Sequence, residues 1–242
     1  MQCADEIFDY MRSDQSLNRS AWIACFNPHS YTVALNDDTF SKALKDADWL
    51  VADGVGVVIA SKLLGGDIRE RVTGSDIFSA LHERINEAGK MSVFFMGSTE
   101  STLEKIRSKM NKEYPNIVVA GVYSPPFKPH YSESEVDEMI CEINKAKPDL
   151  LWVGMTAPKQ EKWIYQNRKR LNVKCIGAVG AVFDFYTGQV KRSNPIFQKL
   201  GLEWLPRLVQ QPRRLWKRMF VSAPIFIFHT LRVWVAIKLN SH

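Results

Sequence analysis

The sequence predicts an α/β fold: a mainly parallel, Rossmann-like sheet with helices on both faces, followed by a helical C-terminal appendage. Two observations carry this prediction. Short apolar runs alternate with segments of helical periodicity as far as Gly177, which is the pattern of parallel strands joined by crossover helices. From Ile196 onward the pattern is helical only. We therefore expect an α/β domain at 1–195 and a basic, aromatic appendage at 196–242.

The predicted strands are short apolar runs that end in glycine or a small polar residue. Continuous apolar runs are typical of parallel strands buried on both faces. We place strands at 21–26, 49–51, 92–96, 117–122, 150–153 and 173–176.

The predicted helices follow from apolar residues spaced three and four apart. Pro28 suits the first turn of a helix after the first strand, and Pro158 suits the first turn of a later one. The segment 55–64 is apolar nearly all round, which predicts a buried helix. We place helices at 31–45, 55–64, 75–88, 100–114, 133–145 and 159–170, with a short one within residues 1–20.

Charge and cysteine usage limit the class of protein. The formal charge is +6 and the sequence pI about 9.1, and the basic excess gathers after Lys191, where Glu203 is the single acid. This bias favours an anionic partner: phosphate, acidic lipid or nucleic acid. The four cysteines include no Cys-x-x-Cys pair, which is typical of a reducing compartment. The N-terminus is acidic and lacks an apolar signal region, so we expect a cytoplasmic protein.

The turns that follow the strands are expected to share one edge of the sheet. The carboxyl ends of parallel strands open onto the ligand crevice in such folds. The residues placed on that edge are Asn27, Asp53, Gly97, Gly154 and Gly177.

Asp53 is the candidate reactive group on this edge. It follows the strand at 49–51, and Gly54 and Gly56 after it would let a substrate approach closely. A carboxylate is ionised at neutral pH, and partial burial would raise its basicity toward the range useful for a general base. The alternative is that Asp53 only caps the helix that follows.

Two glycine turns are candidates for binding phosphate. Gly97 and Gly154 each precede a helix whose first backbone N–H groups could hold an anion, but for each glycine taken alone simple turn geometry is the favoured explanation. Neither turn is a Walker loop, and Gly-x-Gly-x-x-Gly is absent, which disfavours an ATPase or a standard dehydrogenase.

Metal-binding motifs give no positive prediction. Asp46-Ala-Asp48 matches a pattern used by metal-dependent glycosyltransferases, but it precedes a strand and so lies on the edge opposite the crevice. We interpret it as solvated surface. The five histidines show no ligand spacing.

A set of motifs in fixed order resembles the WecG/TagA/CpsF family of bacterial glycosyltransferases. The resemblance extends from about Ala21 to Arg218. The motifs are Phe26-Asn-Pro-His, Ala52-Asp-Gly-Val-Gly, Glu70-Arg-Val-Thr-Gly-Ser-Asp76, Pro158-Lys-Gln-Glu161, Gly177-Ala-Val-Gly-Ala-Val-Phe-Asp184, Gly188-Gln-Val-Lys-Arg192 and Leu202-Glu-Trp-Leu-Pro-Arg207.

The resemblance implies an inverting, metal-independent transfer of a sugar from a UDP-sugar to a polyprenyl-diphosphate-linked saccharide in cell-envelope or exopolysaccharide biosynthesis. It implies no cofactor, because the UDP-sugar is the donor substrate. It also implies a peripheral enzyme on the cytoplasmic face of the inner membrane, with no nucleic-acid partner. The sugar could be N-acetylmannosamine, its uronic acid or glucose, and the acceptor, linkage and oligomeric state, including a homo-oligomer, stay open.

The resemblance also assigns residues. Asp53 matches the proposed general base. Cys25 stands where the family commonly has threonine, and a thiol is a weaker hydrogen-bond partner than a hydroxyl, so substrate choice could differ. With no metal, backbone N–H groups and cations would stabilise the departing UDP. The predicted substrate-binding residues are Cys25, Asn27, Gly54, Arg71, Thr73, Gly97, Gly154, Lys159, Gln160, Glu161, Lys191, Arg192, Arg207 and Arg214.

The appendage is predicted to lie on a membrane surface. Its uncharged part, Met219 to Leu231, is shorter than the roughly 20 residues that span a bilayer. A basic aromatic helix of this kind favours the interface of an anionic leaflet. The alternative is a helix pair packed against the core or against a second subunit.

Two other functions remain open from the sequence. The sheet would also suit a nucleotide-binding oxidoreductase, and the tail would also suit a non-catalytic module that binds acidic lipid. The first lacks the dinucleotide fingerprint, and the second leaves Asp53 and Gln160 unexplained.

Overall fold

Six strands form a single parallel sheet in the order β2-β1-β6-β5-β3-β4 in the computed structural model. The structure describes residues 1–13, 20–190 and 216–240. The strands are β1 (Ala21–Phe26), β2 (Trp49–Ala52), β3 (Ser92–Gly97), β4 (Val118–Tyr123), β5 (Leu150–Gly154) and β6 (Cys175–Ala178).

Helices connect the strands, as the alternating pattern predicts. The predicted α/β class with a parallel sheet is confirmed. The helices before β5 are α1 (Gln2–Arg12), α2 (Pro28–Ala34), α3 (Asp38–Asp46), α4 (Val55–Leu63), α5 (Gly74–Ala88), α6 (Glu100–Glu113) and α7 (Glu133–Ala146). The later ones are α8 (Lys159–Asn167), α9 (Val182–Tyr186) and α10 (Arg218–Leu239), whose first turn, Arg218–Ser222, is π-helical.

Two predictions about helices are wrong. The segment 31–45 forms two helices, because the Asp37 side chain accepts a hydrogen bond from the backbone N–H of Phe40 (2.9 Å) and so caps a new helix. Helix α4 is not buried: Val55, Ile59 and Leu63 are 39%, 54% and 42% exposed. Its apolar surface therefore faces outward over much of its length.

The described residues fall into two compact units. The first unit comprises Met1–Ala24, Lys42–Leu50 and Gly74–Val190. The second comprises Cys25–Ser41, Val51–Thr73 and the described part of the C-terminal segment, 216–240. The predicted domain boundary at 195/196 lies outside the described residues and stays a prediction.

The first unit holds the main hydrophobic core. Strands β3, β5 and β6 are almost fully buried, and Trp152 on β5 packs against Phe78 of α5 with ring centroids 5.1 Å apart. Glycine at 177 on β6 is required for this packing, because a Cβ there would lie 2.0 Å from the Trp152 ring. The core therefore fixes where the turns after β5 and β6 emerge.

The second unit has a smaller core formed by α4 and α10. Ala52, Val57, Ala60 and Phe226 are buried together, and Tyr31 of α2 packs against them. The Phe226 ring contacts the Tyr31 ring edge-on at 5.3 Å. Part of the predicted appendage is thus packed against the segment that contains Asp53.

Candidate functional site

Asp53 lies directly after β2, at its carboxyl end. Its backbone N–H donates a hydrogen bond to the Phe26 carbonyl (2.8 Å), which holds the ends of β1 and β2 side by side. The residue is half-buried. Gly54 has a φ of 143°, a conformation that side-chain-bearing residues rarely adopt. The chain can therefore turn sharply from Asp53 into α4.

Asn27 stands beside this turn and caps α2. Its Oδ1 accepts hydrogen bonds from the backbone N–H groups of His29 and Ser30, both at 3.0 Å. A Cβ added at Gly54 would lie 3.9 Å from the Asn27 Cβ. The structure therefore brings Asn27, Asp53 and Gly54 together, as the sequence predicts, and it gives the Asn27 oxygen a structural role.

Three other predicted residues belong to the same unit. Cys25 is the penultimate residue of β1 and is half-buried. Arg71 and Thr73 flank Val72, whose backbone N–H donates to the Ala52 carbonyl at 3.0 Å. Thr73 is buried, at 7% exposure. The Arg71–Thr73 segment is thus attached to the end of β2, immediately before Asp53.

Gly97 and Gly154 lie opposite each other at the ends of β3 and β5. The chain leaves β3 toward β4 on one side and leaves β5 toward β6 on the other, so the sheet order reverses here. Open α/β sheets bind ligands at such switch points.

Close packing explains the glycine at 97. Its φ is 115°, and a Cβ there would lie 2.5 Å from the Gly154 carbonyl oxygen. Glu100, Ser101 and Glu104 line the groove beside the first turn of α6. The negative charges of the two glutamates would repel a phosphate in that groove. A role for Gly97 in phosphate binding therefore stays a prediction.

Lys159 at the start of α8 is engaged with the loop before α7. Its Nζ donates to the Lys128 carbonyl and lies 3.8 Å from the centroid of the Tyr131 ring. Burial lowers the Lys159 pKa, and the nearby Lys128 charge lowers it further. The ammonium therefore holds the 124–131 loop in the described form.

Gln160 and Glu161 are buried side by side, at 3% and 2% exposure. The Gln160 Nε2 donates to the Glu161 Oε1 (2.9 Å), and the Gln160 Oε1 accepts from the backbone N–H of Gly180 (3.0 Å). Burial raises the Glu161 pKa to about 7. A chain of two hydrogen bonds thus joins Glu161 to the turn after β6.

The Asp46/Asp48 pair is not the solvated surface that we predicted. The Arg168 Nη2 donates to the Asp46 Oδ1 at 2.7 Å, and the Arg168 Nη1 lies 3.5 Å from the Asp48 Oδ2. The Arg168 side chain is 8% exposed. The two carboxylates therefore form a partly buried ion-pair cluster before β2, on the edge where the sequence places them.

Four predicted basic residues cannot be placed. Lys191, Arg192, Arg207 and Arg214 lie outside the described residues. Within 1–13, 20–190 and 216–240, no group of three or more His, Cys, Asp and Glu side chains could hold a metal ion.

Sequence reasoning missed the partner of Gln160. The sequence predicts no role of its own for Gly180, although it lies within the motif Gly177-Ala-Val-Gly-Ala-Val-Phe-Asp184. The bond between Gln160 and the backbone of Gly180 joins residues 20 apart in the chain. No sequence pattern specifies such a contact.

The glycosyl transferase WecG/TagA/CpsF family model matches residues 2–239, nearly the whole chain. The chain belongs to this family. Membership makes it a glycosyltransferase, and the oxidoreductase and lipid-binding alternatives give way to that function.

Several relatives carry the same enzyme name, N-acetylglucosaminyldiphosphoundecaprenol N-acetyl-beta-D-mannosaminyltransferase. The protein from Bacillus subtilis (strain 168) is 32% identical over 231 residues, which cover 93% of this chain and 84% of the relative. The protein from Bacillus spizizenii is 30% identical, over 89% of this chain and 80% of the relative. The protein from Staphylococcus aureus (strain MW2) is 29% identical, over 93% and 85%.

Proposed function

We propose that this glycosyltransferase moves N-acetylmannosamine from UDP-N-acetylmannosamine to a polyprenyl-diphosphate-linked N-acetylglucosamine. The names of the relatives above support this donor sugar and this acceptor. The observation that carries the proposal is Asp53, a half-buried carboxylate at the carboxyl end of a parallel strand. The sequence alone left the sugar open.

The proposed chemistry is a single displacement. An acceptor hydroxyl attacks the anomeric carbon of the donor while Asp53 accepts its proton. The new C–O bond forms as the bond between the anomeric carbon and the diphosphate oxygen breaks, and UDP leaves with the electron pair. The relatives' names specify a β-linked product, which requires inversion when the donor is an α-linked sugar nucleotide.

We propose that the reaction needs no metal ion. Asp46 and Asp48, the one Asp-x-Asp motif considered for this role, are paired with Arg168 before β2. The charge on departing UDP would instead be stabilised by Arg71 and by the predicted cations Lys191, Arg192, Arg207 and Arg214. The test is UDP release in the presence of a chelator, which should not lower the rate if the reaction is independent of metal ions.

We also propose that the enzyme acts as a peripheral protein on the cytoplasmic face of the inner membrane, with α10 in the interface. A lipid-linked acceptor would require action close to a membrane. By length and composition, α10 is apolar enough to cross a bilayer, and 17% of its most apolar 18-residue stretch is buried. Arg232 and Lys238 within the helix favour the interface over a span. Homo-oligomerisation stays a prediction.

The test is a UDP-release assay over a panel of UDP-sugars with a lipid-linked N-acetylglucosamine acceptor. We expect UDP-N-acetylmannosamine to give the highest kcat/KM. Asp53→Asn should keep the wild-type Tm and lose at least about 100-fold in kcat, because the amide cannot accept the proton.

Asp67→Asn is the matched control, since Asp67 is an exposed carboxylate of the same unit. We expect the control to keep wild-type turnover. Full activity of Asp53→Asn would exclude the general-base role, and UDP release with none of the panel sugars would exclude the proposed function.

A further inference from the structure

Glu161 is a buried acid that has little reason to be buried on grounds of stability. It is 2% exposed, and its Oε2 has no hydrogen-bond partner among the described residues. No cation forms an ion pair with it in the described parts of the chain, where the hydrogen bond that its carboxyl group accepts from another residue is the bond from Gln160. Burying an ionisable group in this way costs stability, and such groups concentrate at functional sites.

The contacts of Gln160 show what Glu161 acts upon. Gln160 is itself 3% exposed, so it presents almost no surface to a substrate in the described form. Its amide is fixed at both ends: the nitrogen donates to Glu161 and the oxygen accepts from the backbone N–H of Gly180. A Glu161 oxygen can accept this bond whether the carboxyl group is charged or neutral. Glu161 therefore determines the orientation of the Gln160 side-chain amide, with the nitrogen toward Glu161 and the oxygen toward Gly180.

Gly180 is the far end of this chain of hydrogen bonds. It has a φ of 55°, lies half-buried in the turn between β6 and α9, and follows a strand end of the kind that opens onto a ligand crevice. Glycine adopts positive and negative φ values about equally well, so the backbone at Gly180 is not fixed by the residue itself. A specific hydrogen bond to its N–H restricts that conformational freedom. Gln160 supplies that bond from α8.

We infer that Glu161 and Gln160 are positioning residues for sugar transfer, which hold the Gly180 turn in its working conformation. This inference rests on the proposed function. The sequence predicts that these two side chains contact the substrate directly. Instead, they act through the backbone of the β6–α9 turn. Glu161 acts only through Gln160.

The test compares Glu161→Met, Glu161→Gln, Gln160→Met and the double variant Gln160→Met/Glu161→Met. Glu161→Met removes the acceptor and should lower kcat/KM by about tenfold or more, whereas Glu161→Gln keeps an acceptor oxygen and should recover most of that loss. Glu161→Gln removes the buried acid and keeps the acceptor for Gln160, so it should have a higher Tm than the wild type at pH 8. Recovery of activity in Glu161→Gln, which carries no charge, would distinguish a positioning oxygen from a carboxylate that binds substrate by its charge or transfers a proton.

The double variant tests the path. If Glu161 acts through Gln160, Glu161→Met costs nothing further once Gln160 is methionine, and the two losses do not add. Additive losses would overturn the inference. Asn167→Leu, which removes another buried polar group on the same helix, is the control and should keep the wild-type kcat/KM.

Hydrogen exchange of the Gly180 amide separates this inference from the proposed function. Exchange should be faster in Glu161→Met and Gln160→Met than in the wild type, and close to wild type in Glu161→Gln, whether or not any sugar is transferred. Unchanged exchange in Gln160→Met would overturn the hydrogen-bond chain. A wild-type enzyme that exchanges as expected but releases no UDP would overturn the proposed function, and the positioning role with it.

Discussion

Arg168 explains a motif that the sequence leaves ambiguous. An Asp-x-Asp pattern is compatible with a metal site or with surface, and its distance from the predicted crevice favoured surface. Arg168 comes 120 residues after Asp48 in the chain, yet its guanidinium lies between the two carboxylates. Such a long-range ion pair depends on packing that local pattern does not reveal.

His82 is a second residue whose role comes from packing. It is fully buried, its Nε2 accepts a hydrogen bond from the Trp152 Nε1 (3.0 Å), and its Nδ1 has no partner within the described residues. Burial lowers the His82 pKa to about 3. The imidazole is therefore neutral in the folded protein at any pH at which the enzyme would work.

The neutral His82 predicts a dependence of stability on pH. Between about pH 6.5 and 3 the unfolded chain binds a proton that the folded protein does not, so the free energy of unfolding falls as the pH falls through this window. The contribution should be about 2 kcal/mol smaller at pH 5 than at pH 7.5. His82→Phe, measured by urea unfolding, should lose this dependence.

Glu161 also titrates, in the opposite direction to His82. Its contribution is common to the wild type and the variant, so the difference between the two proteins isolates the histidine. The raised pKa of Glu161 makes the folded protein bind more protons than the unfolded chain between about pH 4.5 and 7, so its contribution falls as the pH rises. His82→Phe should also destabilise by about 1–3 kcal/mol at pH 7.5, since Trp152 loses its acceptor. His130→Gln, at an exposed position, should leave the pH dependence unchanged.

At the scale of elements, α4 and α10 share one buried cluster and expose the rest of their apolar surface. An apolar composition does not by itself show that a helix is buried within its own chain. A helix that faces lipid or a partner protein has the same composition. The prediction of a buried α4 is wrong for this reason. Helix α10 exposes apolar side chains on more than one face, since Leu231 and Val233 are both exposed and lie two residues apart, and Phe228, Ile237 and Leu239 are exposed as well.

Polar contacts fix α10 against α2. The Tyr31 hydroxyl lies 2.9 Å from the His229 Nδ1, and the His29 Nδ1 lies 2.9 Å from the Ser222 Oγ. Burial lowers the His29 pKa, and the Arg218 charge lowers it further. These contacts make α10 part of the second unit in addition to any role at a membrane.

Two phenylalanines of α10 distinguish its packed face from its exposed face. Phe226 is 7% exposed and Phe228 is 64% exposed. Phe226→Ala should destabilise the second unit by about 3–5 kcal/mol and speed amide exchange in α2, α4 and α10. Phe228→Ala, the matched control, should change stability by less than about 0.5 kcal/mol. Equal exchange in the two variants would contradict the described packing of α10.

At the scale of the whole molecule, the basic charge and the exposed apolar surface of α10 favour binding to a membrane that contains anionic lipid. No acidic residue follows Glu203, whereas Lys217, Arg218, Arg232 and Lys238 accompany α10. Cations attract an anionic leaflet from a distance, and apolar side chains then enter the interface. Salt should weaken the first contribution and leave the second.

We therefore expect the protein to sediment with vesicles that contain anionic lipid, and to do so less at high salt. The double variant Phe228→Asp/Leu231→Asp should lose at least about tenfold in vesicle affinity, because two carboxylates would have to enter the interface. Phe127→Asp, at a fully exposed phenylalanine of the first unit, is the control and should bind as the wild type does. Equal binding by all three proteins would exclude α10 as the docking surface, as would a protein truncated after Pro195 that still binds.

The sequence by itself determined the fold class, the positions of the strands to within a few residues, the family and the candidate carboxylate. These follow from periodicity, from glycine and proline at strand ends, and from motifs that are local in the chain. The tertiary structure decided the Asp46–Arg168 pairing, the exposure of α4, the packing of α10 on α2, and the chain of hydrogen bonds from Glu161 to Gly180. Each of these depends on which distant residues come to lie side by side, and that is set by the packing of the whole chain.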